Sequence, residues 1–453
     1  MSGTEPFDAD VIIAGAGIPG ATLALSLAQA GLRPLLIDPV VFDAQLAPTF
    51  DGRASAIAYA AYRQWRALGL EAALGPHAQR IEQILVTDGR TPGAASGGQT
   101  PFYLRFDSAE IADRSEGEPL GYLLENRHIR AALAAAVQAA GIEVLAPARV
   151  AGATFEPRSA SVTLTDGRTL RAPVVVGAEG RGSQVRQAAG IGVVGWDYPQ
   201  TGVVATVRLA RPHEGVAHEY FLPGGPFAIL PLTGDRASLV WTETTRRGEA
   251  LRTARPEIFH AHLARRFGEF LGEAVVEGPV FTYPLSLQLA ERLTAHRVAL
   301  LGDAAHAVHP IAGQGLNLGL KGSAALAQTL VDALRLGEDI GSEAVLERYA
   351  AWRRFDTVTL SAGTDAFVRL FSNDNPILRL VRGAGMAAVN RVAPARRFFM
   401  HEAGGAVGGV ASRRRVLVQG VGGWQHGCDV DGWDGQQRRG HGLQRSVSVL
   451  GNF

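Results

Sequence analysis

Asp303, His306 and His309 stand between a short apolar run and an apolar helical pattern. The run at 298–301 is typical of a buried strand, and the helical pattern starts near Gln314. An aspartate at the carboxyl end of a strand can accept hydrogen bonds from sugar-like hydroxyls. The free N–H groups and positive dipole end of the next helix can face an anion or an electron-rich carbonyl. Taken alone, the segment fits an ordinary strand–loop–helix connection equally well.

A second glycine-bearing turn lies near the amino terminus, between two apolar runs of strand type. The first run, 11–14, leads into Gly15, Gly17 and Gly20 and then a helical pattern, and the second run ends in Asp38. Gly15 allows the tight turn, Gly17 lets the backbone approach a pyrophosphate, and Gly20 lets the helix lie close to the strand. Asp38 can accept a hydrogen bond from a ribose hydroxyl. With strand, glycines, helix and acid in register, the segment predicts a dinucleotide-binding domain.

Two further charged residues stand at turns that can reach a ligand. Arg53 precedes a helical pattern and can reach a pyrophosphate or a bound ring, although a solvated loop arginine is the favoured interpretation of this residue alone. Glu179 can contact a cofactor or cap the helix that begins near Ser183, and capping is favoured. A reduced flavin suits the segment around Asp303, because it carries a ribityl chain and an electron-rich N1–C2=O edge.

Length, charge and composition set limits on the class of protein. The 453 residues, 47% hydrophobic and 19% charged, indicate a folded chain with a large core. The 44 basic and 43 acidic residues nearly cancel, so no nucleic-acid binding through bulk charge is expected. The single cysteine, Cys428, excludes an internal disulfide and a cysteine-based metal site, and no metal site is expected. A short acidic N-terminus without a leader pattern, and no apolar run of bilayer length, favour the cytoplasm.

Periodicity predicts the remaining elements. Four apolar runs between 201 and 242, separated by Gly, Pro and Asp turns, predict an antiparallel sheet with one covered face, a suitable wall for a substrate pocket. Gly121 is expected to open a helix through Ala140. Other strands are expected at 81–87, 102–106 and 279–287, and other helices at 254–271, 342–371 and 376–392.

Three blocks, in this order, resemble the group A FAD-dependent aromatic hydroxylases, which have the para-hydroxybenzoate hydroxylase fold. The blocks are 15–38, 178–186 and 302–317. More narrowly, four segments resemble the ubiquinone-biosynthesis hydroxylases of the UbiH/VisC type: 53–57, 121–127, 211–219 and 225–232. The likeness covers roughly residues 9–403. Glu179 stands where the family usually has aspartate, which leaves its cofactor contact, including any to a nicotinamide, open.

The resemblance implies an α/β fold in which an FAD-binding Rossmann-type domain is interleaved with an antiparallel-sheet substrate domain and followed by C-terminal helices. The FAD-binding domain is expected over 1–75, 121–185 and 280–335, and the substrate domain over 76–120 and 186–279. Residues 336–403 are expected to form the C-terminal helices. Residues 404–453, rich in Gly, Arg and Trp, are expected to be a disordered or frame-shifted tail.

The resemblance also implies site residues. Those expected to bind FAD are Gly15, Gly17 and Gly20 at the pyrophosphate, Asp38 at the ribose, Arg53 and Arg127 at the phosphate and flavin, Asp303 at the ribityl chain, and Gly313, Gln314, Gly315, Leu316 and Asn317 at the flavin pyrimidine edge. Pro310 is expected to line the reaction cavity, and His306 is a candidate proton relay. Tyr220, Phe227, Leu230 and Pro231 are candidates for an apolar substrate channel, with core packing equally compatible.

The function implied is hydroxylation of the aromatic ring of a polyprenyl phenol in ubiquinone biosynthesis, through a C4a-hydroperoxyflavin. FAD is the expected cofactor, a hydrophobic phenol and O2 the reactants, and NAD(P)H the candidate transient donor. Three alternatives stay open: a hydroxylase of a soluble phenol, a non-catalytic FAD-binding assembly factor, and a pyridine-nucleotide dehydrogenase. Basic and apolar residues between 376 and 399 suit peripheral contact with the inner face of the membrane or a biosynthetic complex, or a solvated packing helix equally well.

Overall fold

The computed structural model describes residues 6–47, 51–87, 103–110, 117–222, 224–308 and 313–354. Predictions for other residues, including the helix at 376–392 and the tail at 404–453, lie outside the described residues. Of the helix expected at 342–371, the described part is helical over 343–354.

The amino-terminal strand lies inside a six-stranded sheet. In spatial order its strands are β18 (Thr294–Ala295), β19 (Val298–Leu300), β12 (Val174–Gly177), β1 (Val11–Ala14), β2 (Pro34–Ile37) and β8 (Glu143–Leu145). Neighbours pair in parallel except the antiparallel pair β18 and β19. Val11 and Ile13 of β1 pack into one core, and Ile12 and Ala14 into another. Because both faces are covered, β1 is apolar throughout and does not alternate.

Helices pack on one face of this sheet and a small antiparallel sheet packs on the other. The long helices are α1 (Ile18–Gln29), α5 (Asn126–Ala139) and α9 (Gln314–Arg335). The small sheet is a meander of β9 (Val150–Phe155), β10 (Ala160–Leu164) and β11 (Thr169–Ala172). Short helices in this part of the chain are α2 (Phe42–Gln45), α3 (Tyr59–Ala67), α4 (Glu71–Leu74) and α6 (Gln184–Ala188).

The predicted antiparallel sheet is present and has eight strands. In spatial order they are β20 (His306–Ala307), β17 (Ala274–Ala290), β13 (Val193–Leu209), β16 (Arg236–Thr244), β15 (Gly225–Leu232), β14 (Val216–Leu222), β5 (Gln83–Thr87) and β6 (Tyr103–Asp107). Only β14 and β5 pair in parallel. Since β17 pairs with β13 as far as Ala290, residues 280–290 belong to this sheet, and the expected domain boundary at 280 is wrong.

Two helices cover one face of the eight-stranded sheet. They are α7 (Thr245–Arg252), which the sequence did not predict, and α8 (Pro256–Phe267), which is shorter than the helix expected at 254–271. Phe227 and Trp241 of the sheet pack with Phe259 and Leu263 of α8 in a closed core.

A third antiparallel sheet lies between these two parts and has the order β3 (Ala54–Ala58), β7 (Gly121–Glu125), β4 (Gln79–Ile81). The expectation that Gly121 opens a helix is therefore wrong, because 121–125 pairs with β3 before α5 begins. The strand expected at 81–87 is divided at Glu82 between two sheets. Ala54 pairs with Glu125, so the segments that carry Arg53 and Arg127 are neighbours.

Candidate cofactor and substrate site

The glycine turn between β1 and α1 leaves room for a ligand at one position. A Cβ on Gly20 would lie 2.0 Å from the carbonyl oxygen of Gly15, so the protein's own packing requires glycine there. A Cβ on Gly17 would meet no described atom within 4 Å. Gly17 is also the N-cap of α1, which has no side-chain cap and no acidic residue in its first turn. The space and the uncapped N–H groups suit a pyrophosphate.

Asp38 holds the same turn in place. Its Oδ2 accepts a hydrogen bond from the backbone N–H of Ala16 at 2.8 Å, and its Oδ1 accepts one from Val40 at 2.8 Å. Burial raises the pKa of Asp38, and these two bonds oppose the rise. The carboxylate therefore supports the glycine turn, while its contact with a ribose stays a prediction.

The Asp303 segment lies against the glycine turn, although nearly 300 residues separate the two. A Cβ on Gly302 would lie 3.4 Å from Cγ of Pro19, and one on Gly319 would lie 3.0 Å from the same atom. Ser323 Oγ donates a hydrogen bond to the Pro19 carbonyl at 2.9 Å. The first turn of α1 therefore forms one wall with Gly302, Gly319 and Ser323.

Asp303 lies on the side of a recess. The residue is exposed to solvent on one side, and protein atoms surround its carboxylate on the others. Burial raises its pKa, and the positive charges of Arg181 and Arg53 oppose the rise. No described residue donates a hydrogen bond to this carboxylate. An enclosed acceptor of this kind suits the hydroxyls of a ribityl chain.

The amino terminus of α9 is fixed by Asn317. Its Oδ1 accepts from the backbone N–H of Ala58 at 2.8 Å, and its Nδ2 donates to the carbonyls of Ala56 at 2.8 Å and Gly313 at 3.1 Å. Gly313, the N-cap, has a φ of 60° and provides no side-chain cap. The N–H groups from Gln314 onward, including Gly315 and Leu316, are thus held beside β3 without a capping side chain. An electron-rich carbonyl fits there.

Arg53 is held by a buried carboxylate that sequence reasoning did not single out. Asp51, whose side chain is 3% exposed, accepts from Nε of Arg53 at 2.8 Å and from Nη2 at 2.9 Å. It also accepts from Asn126 at 3.0 Å, Arg130 at 2.6 Å and the Tyr283 hydroxyl at 3.3 Å. Burial alone raises the pKa of Asp51, but the hydrogen bonds and charge of Arg53, with Asn126 and Arg130, hold it well below its usual range.

A cavity of about 250 Å³ lies next to this cluster. Its wall includes Asp51, Arg53 and Arg127, together with Arg236 and Phe281. Arg127 pairs with Glu125 at 3.1 Å and is 44% exposed. The structure thus brings both predicted arginines to one cavity, and their contacts with phosphate stay predictions.

The block around Glu179 supports the site from behind. The Glu179 carboxylate accepts from the backbone N–H groups of Gln184 and Val185, both at 3.1 Å, so it caps α6 as the sequence favoured. Arg186, which is buried, donates to the carbonyl of Ala304 at 3.1 Å and to that of Arg181 at 2.7 Å. This arginine therefore fixes the turn that carries Asp303.

His306 is buried, at 4% exposed, and its Nδ1 has no partner among the described residues. Burial, with the positive charge of Arg353, lowers its pKa to about 4. The ring is therefore neutral at pH 7, and a role as a proton relay stays a prediction. Pro310 and His309 lie outside the described residues.

Strand alternation separates the four substrate-pocket candidates. Tyr220, 3% exposed, and Phe227, fully buried, belong to the closed core under α8, so their assignment to a channel is wrong. Pro231 shares their face of the sheet by alternation along β15. Only Leu230 lies on the opposite face, where it packs with Ala54 and Ala56 of β3. The face of Leu230 is the one that meets β3, beside which α9 begins.

Comparison with known proteins agrees with this arrangement. A family model described as "FAD binding domain" matches residues 8–357. Ubiquinone hydroxylase UbiL of Rhodospirillum rubrum is 46% identical over 408 residues, which cover 90% of this chain and 92% of that protein. The 3-demethoxyubiquinol 3-hydroxylase of Escherichia coli is 33% identical over 393 residues, covering 86% of this chain and 96% of that protein.

A solved structure shows the same fold. The p-nitrophenol 4-monooxygenase PnpA from Pseudomonas putida DLL-E4 matches with a TM-score of 0.73 at 20% identity, over 88% of this chain and 99% of that chain. The predicted α/β architecture, with its antiparallel-sheet part, is confirmed.

Proposed function

Because this chain belongs to the family of FAD-binding ubiquinone hydroxylases, we propose that it hydroxylates the aromatic ring of a polyprenyl phenol in ubiquinone biosynthesis. It is an FAD-dependent monooxygenase that uses O2 and a reduced donor. The observation that carries the proposal is the contact of Gly302 and Gly319 with Pro19, which joins the space in front of Gly17 to the recess of Asp303. A cofactor with both a pyrophosphate and a sugar alcohol fits such a wall.

The chain's own residues bind and orient the cofactor. FAD, when bound, supplies the redox chemistry that activates O2. The α1 N-terminus at Gly17 would bind its pyrophosphate, Asp303 would accept from the ribityl hydroxyls, and Arg53 would lie close to both. The α9 N-terminus, from Gly313 to Asn317, would face the pyrimidine edge and stabilise negative charge there. Such fixed dipoles act most strongly where water is excluded.

Leu230 and its neighbours provide an apolar surface beside this cofactor site. A prenylated ring would pack against it and displace water, which protects reactive oxygen species from side reactions. We assign the substrate to this face of the sheet and not to the face of Phe227, which is closed by α8.

We place the source of electrons with a reduced nicotinamide that binds transiently. The cavity lined by Arg53, Arg127 and Arg236 supports this, because guanidinium groups suit a phosphate-bearing donor even though these three also pair with Asp51 and Glu125. Anaerobic mixing of the FAD-loaded protein with NADH and with NADPH tests this. One of the two is expected to bleach the flavin absorbance when added in an amount close to that of the flavin. If neither bleaches the flavin, a protein reductase supplies the electrons.

Within the described residues, no helix is long and apolar enough to cross a membrane. A polyprenyl chain partitions into the bilayer, so we place the encounter with substrate at the inner face of the membrane. Flotation with anionic liposomes tests this: association with the vesicle fraction is expected. Recovery only at the bottom of the gradient contradicts it.

Quinone profiling of a strain that lacks this gene tests the function. Loss of ubiquinone and accumulation of a prenylated ring one hydroxyl short of it are expected, with recovery on complementation. Unchanged ubiquinone would refute the assignment and favour a soluble phenol as substrate. Recovery by a variant that binds FAD but does not consume O2 would instead indicate a non-catalytic assembly factor.

A further inference from the structure

Glu219 is a carboxylate without a partner on the face of the eight-stranded sheet that carries Leu230. It lies on β14, directly opposite Ala228 of β15. Among the described residues, none donates a hydrogen bond to it or forms an ion pair with it. The buried carboxylates among the described residues, Asp38, Asp51 and Glu243, all accept hydrogen bonds.

The surroundings of Glu219 are apolar. Across the sheet, in register with it, lie Val86 on one side and Ala228, Val240 and Val204 on the other. Val86 and Val240 are only half-buried, so this face is not closed by packing. Its opposite face, with Tyr220, belongs to the closed core. Glu219 is itself half-buried and enclosed by protein atoms, as expected for a group on the wall of a recess.

This face leads to the amino terminus of α9. Ala217 precedes Glu219 by two residues on the same face and packs in one cluster with Leu230, Ala54 and Ala56. A Cβ on Gly313 would lie 3.4 Å from Cβ of Ala56. The apolar face around Glu219 and the segment expected to face the flavin ring are therefore connected through β3.

An unpartnered carboxylate in an apolar recess destabilises the fold unless a ligand supplies a donor. A structural carboxylate would have a protein partner, as Asp51 does. The donor that the proposed reaction provides is the phenolic hydroxyl of the ring. The two strands next to β14 present only apolar side chains to this face, among them Val86 and Leu230. On the same face of β16 lie Ser238 and Arg236, and Arg236 pairs with Glu125.

We propose, on the basis of the function inferred above, that Glu219 binds the phenolic hydroxyl of the substrate and accepts its proton. The O–H bond of the phenol breaks, its electron pair stays on the phenol oxygen, and the new O–H bond forms on the Glu219 carboxylate. The ring becomes more electron-rich at the carbons ortho and para to that oxygen. Hydroxylation is therefore directed to one of those carbons.

The acidity of Glu219 suits this role. Burial raises its pKa to about 7, and no other charged group contributes to the shift. A base of this pKa is half-ionised near neutral pH, where general-base catalysis is most effective.

The test uses the FAD-loaded enzyme with Glu219→Gln, Glu219→Asp and, as a matched control, Tyr220→Phe. Tyr220 is the next residue on β14, faces the closed core, and has a hydroxyl without a partner among the described residues. Wild type and Tyr220→Phe should show kcat/KM for a prenylated phenol rising with pH through about 7. In Glu219→Gln, kcat/KM should fall about 100-fold and should no longer depend on pH in this range. Glu219→Asp should keep the pH dependence at a lower rate.

A binding measurement gives a readout that a structural role would not change. The probe is a 4-nitrophenol that carries one short prenyl chain, titrated into each protein at pH 6 and pH 9. At pH 9 the ionised probe meets an ionised Glu219 in wild type, and the two negative charges repel each other. The increase in Kd from pH 6 to pH 9 should therefore be at least about tenfold larger in wild type than in Glu219→Gln.

Equal pH dependence of Kd in wild type and Glu219→Gln would overturn the proposal, as would a Glu219→Gln rate within about threefold of wild type. The two proposals fail separately. If wild type hydroxylates no prenylated phenol, the function falls, whereas the probe measurement still decides whether Glu219 faces a phenol-binding recess.

Discussion

Replacement of Asp51 by asparagine tests whether a buried carboxylate positions Arg53 for the cofactor. The change keeps the shape of the side chain and removes its charge. Hydrogen bonds to charged groups contribute about 1.5–3 kcal/mol each. The bond from Arg130, whose side chain is 12% exposed, counts in full, and the pair with the half-exposed Arg53 is discounted for solvent screening. We expect a loss of about 3 kcal/mol in the free energy of unfolding.

Affinity for FAD should fall as well, because Arg53 is no longer held in one geometry. Ordering an arginine side chain costs up to about 2 kcal/mol, which corresponds to about 30-fold in Kd. The difference in free energy of unfolding between wild type and Asp51→Asn should be largest at neutral pH. Since the pKa of Asp51 is lowered in the folded state, the difference should shrink as pH falls below the unfolded value of about 4.

The chain offers a matched control for this experiment in Asp166→Asn. Asp166, Gly167 and Arg168 repeat the tripeptide of Asp51, and the Arg168 side chain donates to Asp166 at 2.8 Å. That pair is about half-exposed on both sides and lies on a surface turn, so its loss should change neither stability nor FAD binding measurably. Kd is measured by quenching of FAD fluorescence, and unfolding by urea titration. The same FAD Kd in both variants would refute the positioning of Arg53 by Asp51.

Four further substitutions have expected outcomes. Gly17→Ala should fold with a free energy of unfolding equal to that of wild type or up to about 1 kcal/mol higher, while its Kd for FAD rises at least about tenfold. Gly20→Ala should fail to fold. Tight FAD binding by Gly17→Ala would contradict the pyrophosphate assignment. Asn317→Ala should lower unfolding free energy in urea by about 1–3 kcal/mol and weaken FAD binding, and an unchanged urea midpoint would contradict its role at α9. Glu219→Gln should raise the free energy of unfolding by up to about 3 kcal/mol at pH 8 but not at pH 4.5. The reason is that ionisation of a carboxyl whose pKa is raised destabilises the fold only as pH rises from about 4.5 through about 7. Equal effects at both pH values would contradict the burial of Glu219.

Periodicity and glycine spacing were sufficient to predict β1, α1 and the strands of the antiparallel sheet, because those signals are local. They were insufficient for β3 and β7. Both strands contain alanine or leucine residues that favour helix when judged alone. Their extended conformation comes from pairing with each other, and only the folded chain provides that partner.

Asp51 shows the same limit at the level of a single residue. The tripeptide Asp-Gly-Arg occurs three times, at 51–53, 88–90 and 166–168. The first and third make the same local contacts between aspartate and arginine. What distinguishes Asp51 is burial and three donors from distant segments: Asn126, Arg130 and Tyr283. Local sequence therefore predicts an arginine near a turn but not the carboxylate that orients it.

The substrate-pocket prediction was wrong for Tyr220 and Phe227 for a related reason, and their burial supports the assignment of substrate to the face of Leu230. Alternation along β15 separates Phe227 from Leu230, but nothing in the sequence tells which face meets α8 and which meets the cofactor site. On one face, large aromatic side chains such as Phe227 fill the closed core under α8. On the other face, Val86, Leu230 and Val240 beside Glu219 are only half-buried. The half-buried part of this face around Glu219 is therefore the part available to a ring with a hydroxyl to donate.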